Sequence, residues 1–254
     1  MKNLKTWGLI ALLFLLIACG GDDRGGDTYD IEANGIPQFV KSDFTQLEKI
    51  TEISKFRSGA GHGYSDKFES CRSMKHYYAP DSNYKENNEI EIYSPVEGVI
   101  HSIINEGHGE SRGLNNKQIR IKSDTYPAFV FVIFHTDLID SNITVGKTVQ
   151  AGELIGHARM YYPNLDEYAH DFDIAVWVNT SSGTRYLSYF DTMSDTLFNN
   201  YIARGAFLRQ DFIISREERD NNPLVCNEEQ FIDGGTLENW VKLSLSSATI
   251  TSFY

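Results

Sequence analysis

The chain has few basic residues and few cysteines, and its sequence shows no internal repeat. It carries 23 lysines and arginines against 35 aspartates and glutamates, for a net charge of −12. A negatively charged protein repels phosphate groups, so this balance argues against nucleic acid or an anionic lipid surface as the main partner. The lack of a repeat excludes a solenoid or a propeller. The residues left for folding, about 220, are enough for one β-rich domain with an appendage.

Long apolar runs are also scarce, and the longest one lies at the N-terminus. Lys2 and Lys5 precede an apolar stretch from Trp7 to Ala18, which is too short to cross a bilayer as a stable helix. A basic head before a short apolar run is typical of a secretory signal peptide. The sequence therefore predicts that residues 1–18 are a signal peptide that is removed on export.

The end of this run predicts a lipid anchor. Leu16-Ile17-Ala18-Cys19 has the pattern of a bacterial lipobox, in which the cysteine is lipidated and becomes the mature N-terminus. A plain signal peptide with an incidental cysteine is the alternative. Residues 19–40 begin with a stretch rich in glycine and aspartate and predict a flexible tether. Because Gly20 follows the cysteine, we expect a lipoprotein of the bacterial cell envelope, held at the outer membrane and facing an oxidising space.

Only two further cysteines are present, Cys71 and Cys226. In an oxidising space two such residues most often form one disulfide, which would pin the C-terminal segment to the front of the domain. In the chain-entropy model a loop of this length would stabilise the fold by roughly 4–5 kcal/mol. Two buried free thiols are the alternative.

Many short strand patterns with almost no helix between them predict an all-β barrel or sandwich. The strand segments are 89–104, bent at Pro95 and Gly98, then 117–123, 129–135, two short arms within 145–156, and 173–179. Residues 41–57 have apolar side chains at helical spacing and predict a short helix or the lead-in to a strand. Beyond residue 180 the sequence predicts a helix over 191–203 and a last strand over 239–245.

The order of these segments resembles that of the lysostaphin-type (LytM-type) zinc peptidases, which cut peptidoglycan cross-bridges. The segments that carry the resemblance are YSPVEGVIHSI (93–103), FVFVIFH (129–135), VGKTVQAGELIG (145–156) and HDFDIAVWVN (170–179). The resemblance implies a mainly β fold, a barrel-sandwich hybrid built from a duplicated hybrid motif. It also implies a peptidase-like domain over residues 41–180, followed by a docked extension of mixed helix and strand over 181–254.

The resemblance implies a metal site whose first two ligands come from a His-x-x-x-Asp motif. His62 and Asp66 have this spacing in a glycine-rich loop. His76 with Asp81 is a competing register, in which His76 is the first ligand; it fits the distance to the next motif better but is one residue too long. Both assignments are open at this point.

The last strand of the family carries His-x-His, and the matching positions here are Asp171 and Asp173. The resemblance makes Asp173 the third metal ligand and places Asp171 where the family has a catalytic histidine. His135 matches the separate histidine that follows the central strand of the family, and it would be the catalytic imidazole of an active enzyme. The alternation of side chains along the strand places His170 on the opposite face from both aspartates.

The exchange of histidine for aspartate changes the chemistry that we expect. Oxygen ligands favour Mn, Mg or Ca relative to Zn, although aspartate is also a zinc ligand. An aspartate in place of the histidine removes a group that takes up a proton near neutral pH. We therefore expect either one divalent metal (Zn, or a harder ion such as Mn or Ca) or none. The predicted function is a non-catalytic module that binds peptidoglycan or a cell-wall hydrolase; the alternative is an active divergent metallopeptidase that cleaves peptidoglycan peptides.

Overall fold

The structure, a computed structural model, describes residues 28–107, 109 and 111–244. The predicted signal peptide, the lipidation of Cys19 and the first part of the predicted tether lie outside these residues. Within the described ranges no helix is both long and apolar enough to cross a membrane.

Short antiparallel strands make up most of the ordered elements, and the helices are short. The strands are β1 (Ile50–Ser54), β2 (His76–Pro80), β3 (Glu91–Tyr93), β4 (Gly98–Asn105), β5 (Lys117–Ser123), β6 (Phe129–Leu138), β7 (Thr148–Val149), β8 (Leu154–Ala158), β9 (Tyr161–Tyr162), β10 (Glu167–Tyr168), β11 (Phe172–Thr180), β12 (Gly183–Leu187), β13 (Cys226–Asn227), β14 (Gln230–Phe231) and β15 (Trp240–Lys242). The helices are α1 (Ile31–Asn34), α2 (Tyr189–Thr192), α3 (Asp195–Ile202) and α4 (Arg216–Asn221), with 3-10 turns at Leu47–Lys49 and Arg209–Phe212. The predicted mainly β class is confirmed.

One large antiparallel sheet organises the molecule. Its main path runs β15-β1-β2-β11-β6-β5-β4-β7, with β12 beside β11 and β8 joining β6 to β3. The central strand β6 is buried along almost its whole length, because the core covers one face and a smaller apolar cluster covers the other. This explains why β6 reads as a continuous apolar run whereas β5, nearer the edge, alternates.

Several predicted elements are confirmed. Strand β5 spans the predicted residues 117–123, and the apolar segments at 129–135 and 173–179 lie within β6 and β11. The segment 145–156 contains β7 and the start of β8, as the short-arm pattern indicates. Residues 41–57 lead into β1 through a 3-10 turn and form no α-helix.

Both ends of the described chain pack onto the sheet. The backbone N–H of Tyr29 donates to the carbonyl of Asn179 at 2.7 Å, and the Tyr29 ring packs edge-on against Phe129. Residues 28–40, expected within the tether, are therefore docked, because they carry apolar side chains that join the core. The extension after residue 180 has the expected mix of helix and strand, and its strands β12 and β15 pair with β11 and β1.

A buried carboxylate ties the start of the domain to this extension. The hydroxyl of Tyr201 in α3 donates to Oδ2 of Asp43 at 2.5 Å, and the backbone N–H of Phe44 donates to Oδ1 at 2.9 Å. Burial raises the pKa of Asp43 from 3.8 to about 6, although the hydrogen bond from Tyr201 opposes the shift. The folded protein therefore holds a proton on Asp43 at pH values where the unfolded chain has released it.

This proton predicts a pH dependence of stability. Because the folded state binds this proton more tightly, the contribution of Asp43 to the free energy of unfolding falls as the pH rises from about 4 to about 6. We expect Asp43→Asn to remove this component, which amounts to about 3 kcal/mol at most. Urea unfolding of both proteins between pH 4 and pH 7 measures the difference in slope. The control Asp124→Asn changes an exposed aspartate and should leave the slope as in the wild type; an unchanged slope in Asp43→Asn would contradict the assignment.

Candidate functional site

A buried lysine contacts two of the predicted metal ligands. Lys75 immediately precedes β2, and only 3% of its side chain is exposed. Its Nζ lies 2.8 Å from Oδ2 of Asp173 on β11 and 3.4 Å from Nε2 of His62 in the glycine-rich loop. The ammonium thus joins three separate segments of the chain.

Aromatic rings surround the rest of this ammonium. Nζ lies 3.7 Å from the centroid of the Phe134 ring, 4.5 Å from that of Tyr64 and 5.7 Å from that of Tyr77. The negative face of an aromatic ring attracts a cation, and the attraction grows when water is excluded. The rings and the carboxylate together replace the hydration that Lys75 loses on burial.

The buried charge of Asp173 is balanced by this lysine. The aspartate side chain is 1% exposed, and within the described ranges neither carboxylate oxygen accepts a hydrogen bond of regular geometry. Its cationic neighbours are Lys75 and, when protonated, His135, whose Nε2 lies 3.5 Å from Oδ1. A buried carboxylate without a cation is strongly destabilising, so the contact with Lys75 is the main compensation for the charge of Asp173.

His135 reaches the cluster through a local distortion of β6. Its φ of 51° lies in the left-handed region, which a non-glycine residue seldom adopts. The pairing of β5 with β6 shifts register between Lys117 and Ile119, opposite this point. A bulge of this kind re-aims a side chain out of the regular ladder. It brings the His135 ring to Asp173 and places its Nδ1 3.2 Å from the hydroxyl of Tyr162.

His62 forms the half-exposed edge of the cluster. Burial and the nearby charge of Lys75 lower the pKa of its imidazole, which favours the neutral ring. Its Nδ1 lies 3.1 Å from the carbonyl of Gly63, and a proton on Nδ1 leaves Nε2 to accept from Lys75. The backbone N–H of His62 donates to the hydroxyl of Tyr77 at 3.4 Å, which orients the loop over the ring.

The C-terminal extension holds this loop in place. The predicted disulfide between Cys71 and Cys226 is present, with a Cα–Cα distance of 5.7 Å. It positions the β13–β14 hairpin so that the carbonyl of Glu229 accepts the backbone N–H of Gly63 at 2.5 Å. The carboxylate of Glu229 lies 3.7 Å from Nδ1 of His62 and is largely exposed. The hairpin therefore forms one wall of the site.

Asp66, the predicted second metal ligand, does not join the cluster. Its Oδ1 accepts the backbone N–H groups of Phe68 and Glu69 at 2.8 and 3.0 Å. Its Oδ2 accepts the backbone N–H of Tyr186 at 3.0 Å and the Nε–H of Arg185 at 3.3 Å. An aspartate at the start of a turn commonly bonds to the backbone two residues on, and here both oxygens of Asp66 are engaged by partners other than the residues of the cluster.

His76, the alternative first ligand, lies on the other side of the sheet. Successive side chains of a strand point to opposite faces, so His76 faces away from its neighbour Lys75. Its two ring nitrogens lie 2.8 Å from the carbonyl of Ser54 and 2.9 Å from the hydroxyl of Ser188. Burial lowers its pKa to about 4. His76 is thus a neutral residue of the core and does not contact Asp173.

Asp171, the predicted catalytic residue, lies at the margin of the cluster. Its Oδ2 is 3.0 Å from Nδ1 of His170, and His170 also approaches Glu52. Burial raises the pKa of Asp171, while the bond from His170 lowers it. Asp171 is thereby tied to an exposed imidazole rather than to His135.

Sequence reasoning did not identify Lys75 and its aromatic neighbours as part of the site, since they belong to no known motif. These residues are identified by the pairing of β2 with β11, in which Tyr77 lies opposite Asp173. Alternation then places Lys75 and Tyr77 on the face of Asp173 and His76 on the other face. That pairing is not visible in the sequence.

The residues present do not fit the metal centre that the resemblance implies. Asp66 is held elsewhere, and an ammonium lies between His62 and Asp173. Across residues 28–107, 109 and 111–244, no group of three or more histidine, cysteine, aspartate or glutamate side chains is arranged to hold a metal ion.

Comparisons with known proteins find only distant structural likeness. No family model matches the sequence, and no curated protein matches it. Among solved structures, the chain is similar to a protein described as the glycyl-glycine endopeptidase lytM of Ruminococcus gnavus, with 13% identity, a TM-score of 0.34 and coverage of 46% of this chain and 44% of that one. It is also similar to lysostaphin, with 15% identity, a TM-score of 0.30 and coverage of 54% and 51%. The chain thus spans about half the length of each.

Because the disulfide-linked hairpin forms a wall of the site, we expect loss of the disulfide to loosen the loop that carries Gly63. The double variant Cys71→Ser/Cys226→Ser should lose up to roughly 4–5 kcal/mol of stability, because the closed loop no longer restricts the unfolded chain. Hydrogen exchange at the Gly63 amide should accelerate more than at amides of β6, since the hairpin supplies its acceptor.

Reduction of the wild-type disulfide should reproduce both effects, and the reductant should not affect the double variant. If the Gly63 amide exchanges at the wild-type rate in the double variant, the hairpin does not need the disulfide to cover the loop.

Proposed function

We propose that this chain is a lipid-anchored protein of the bacterial cell envelope whose β domain binds peptidoglycan, or a cell-wall hydrolase, without hydrolysing peptide bonds itself. The observation that carries the non-catalytic part is the contact between the Lys75 ammonium and the buried Asp173. The resemblance to the lysostaphin-type peptidases in the strand and hairpin segments supports the cell-wall part.

The chemistry of an ammonium group supports a site that does not catalyse hydrolysis. A hydrolytic metal ion has an open coordination position and lowers the pKa of its bound water to about 7. The ammonium of Lys75 has neither property, because its three N–H groups only donate. In the described structure Asp173 is neutralised by that ammonium, and Asp171 is engaged by His170. The engagement of both aspartates supports a site that does not activate water.

The face around the cluster supports a binding role. The guanidinium of Arg120 lies 4.5 Å from the Trp177 ring centroid, and the Trp177 ring stacks on Tyr186 at 5.9 Å. All three side chains are partly exposed on the sheet. Aromatic edges together with charged groups suit a ligand that carries both sugar rings and charged peptide ends, as a peptidoglycan strand does.

The anchor and the compartment are part of the proposal. The lipobox pattern at Cys19 and the glycine-rich residues after it support attachment to a membrane by a tether. The disulfide between Cys71 and Cys226 supports an oxidising space. A domain that packs its own residues 28–40 onto the sheet would leave the preceding residues as the tether.

A binding and hydrolysis experiment tests the proposal. Residues 20–254 should co-sediment with purified peptidoglycan, release no soluble fragments and contain no stoichiometric divalent metal by mass spectrometry. Trp177→Ala should reduce the bound fraction several-fold, since it removes the central ring of the face. Lys85→Ala, in the loop between β2 and β3, is the surface control and should bind as the wild type.

One result would contradict the proposal, and another would narrow it to one of its two partners. Stoichiometric zinc with fragment release that is lost in His62→Ala and Asp173→Ala would establish the active metallopeptidase. Absence of binding to peptidoglycan, with the domain folded, would leave a cell-wall hydrolase as the partner, which pull-down from an envelope extract by the wild type but not by Trp177→Ala would test.

A further inference from the structure

We infer that the site contains a built-in ligand: the Lys75 ammonium occupies an aromatic and carboxylate pocket that is selective for an ammonium group, in the place where the resemblance implies a metal ion. The inference concerns the site itself and holds whether or not the domain binds the cell wall. Three features of the cluster support it: the position of Nζ, the buried carboxylate of Asp173 and the cage of aromatic rings.

The position of Nζ is the first feature. Nζ lies between Asp173 and His62, the two residues of the implied metal set that the fold does bring together. His135 approaches the other oxygen of Asp173. Four chain segments thus converge on one cation: the glycine-rich loop, the start of β2, β6 and β11. Lys75 links them as a bound ion would.

The carboxylate is the second feature. Asp173 is buried to 1% exposure, and its oxygens lack regular hydrogen bonds within the described ranges. A buried carboxylate in this state requires a cation. Because Lys75 is itself only 3% exposed, the pair is closed to solvent and should be insensitive to salt.

The ring cage is the third feature, and it decides which cation fits. Phe134 and Tyr64 present their rings to Nζ at 3.7 and 4.5 Å. Aromatic rings bind ammonium groups well, whereas divalent metals in proteins take oxygen, nitrogen or sulfur ligands and often keep water. The hydroxyl of Tyr64 lies 3.2 Å from the indole Nε1 of Trp177, which fixes the ring in place. The pocket is therefore built for an ammonium and not for a metal ion.

Truncation of the lysine tests the selectivity of the pocket. In the full chain, purified in detergent, Lys75→Ala should lower Tm by about 10 °C, because one partner of a buried pair is lost. Added methylammonium or ethylammonium should raise the Tm of this variant in a concentration-dependent way. Zinc, manganese and calcium chlorides should not raise it. The wild type should show no such response to either class.

Two variants serve as controls. Lys67→Ala removes a lysine that also lies over an aromatic ring, Phe68, at 5.0 Å, but near the surface; it should lose little stability and should not respond to alkylammonium. Lys75→Met fills the pocket without a charge, so it should be destabilised and should not respond either. Lys75→Met combined with Asp173→Asn should be more stable than Lys75→Met alone, since no buried charge is left.

If neither methylammonium nor ethylammonium raises the Tm of Lys75→Ala, the pocket is not selective for an ammonium group. Rescue of Lys75→Ala by a divalent metal and not by alkylammonium would overturn the inference and identify a metal site that the lysine blocks. A Tm for both Lys75 variants equal to that of the wild type would show that the ammonium does not hold the cluster. If Lys75→Ala does not fold, the comparison of Lys75→Met with its Asp173→Asn double variant still tests the pairing, because equal stability of the two would contradict it.

Discussion

The contact between the Lys75 ammonium and the Asp173 carboxylate is the interaction on which the site depends. Asp173 lies near the start of β11, between β2 and β6, where water has no access. A charge in this position needs a partner from within the chain, and the pairing of β2 with β11 supplies one. The loop that carries His62 and the bulge that carries His135 are both arranged around this pair.

The geometry of the sheet explains why these particular side chains meet. Tyr77 lies opposite Asp173, so Lys75, two residues earlier, shares their face, while His76 is directed into the core. His135 joins through a backbone turn with a positive φ rather than through regular alternation. Strained residues of this kind persist only where the surroundings hold them, and here the neighbours Asp173 and Tyr162 do so.

The C-terminal extension is part of the site as well as of the fold. Its strand β12 lies beside β11, its hairpin covers the His62 loop, and its helix α3 supplies Tyr201 to the buried Asp43. The disulfide joins the hairpin to the loop across a long stretch of chain. A chain that ended at residue 180 would therefore lack both a wall of the site and the hydroxyl that meets Asp43.

The sequence by itself determined the elements whose cause is local. The alternation of residues 117–123, the apolar run at 129–135 and the pairing of Cys71 with Cys226 were all predictable, since each depends on a short pattern or on the chemistry of two cysteines. The His-x-x-x-Asp spacing did not predict the position of Asp66 correctly, because Asp66 accepts hydrogen bonds from backbone groups of its own turn. Spacing also did not decide which faces His76 and Lys75 occupy, because that depends on which strand lies beside β2. Only the tertiary structure decided that the buried carboxylate of Asp173 meets an ammonium, because strand register and the β6 bulge bring together residues that are far apart in sequence.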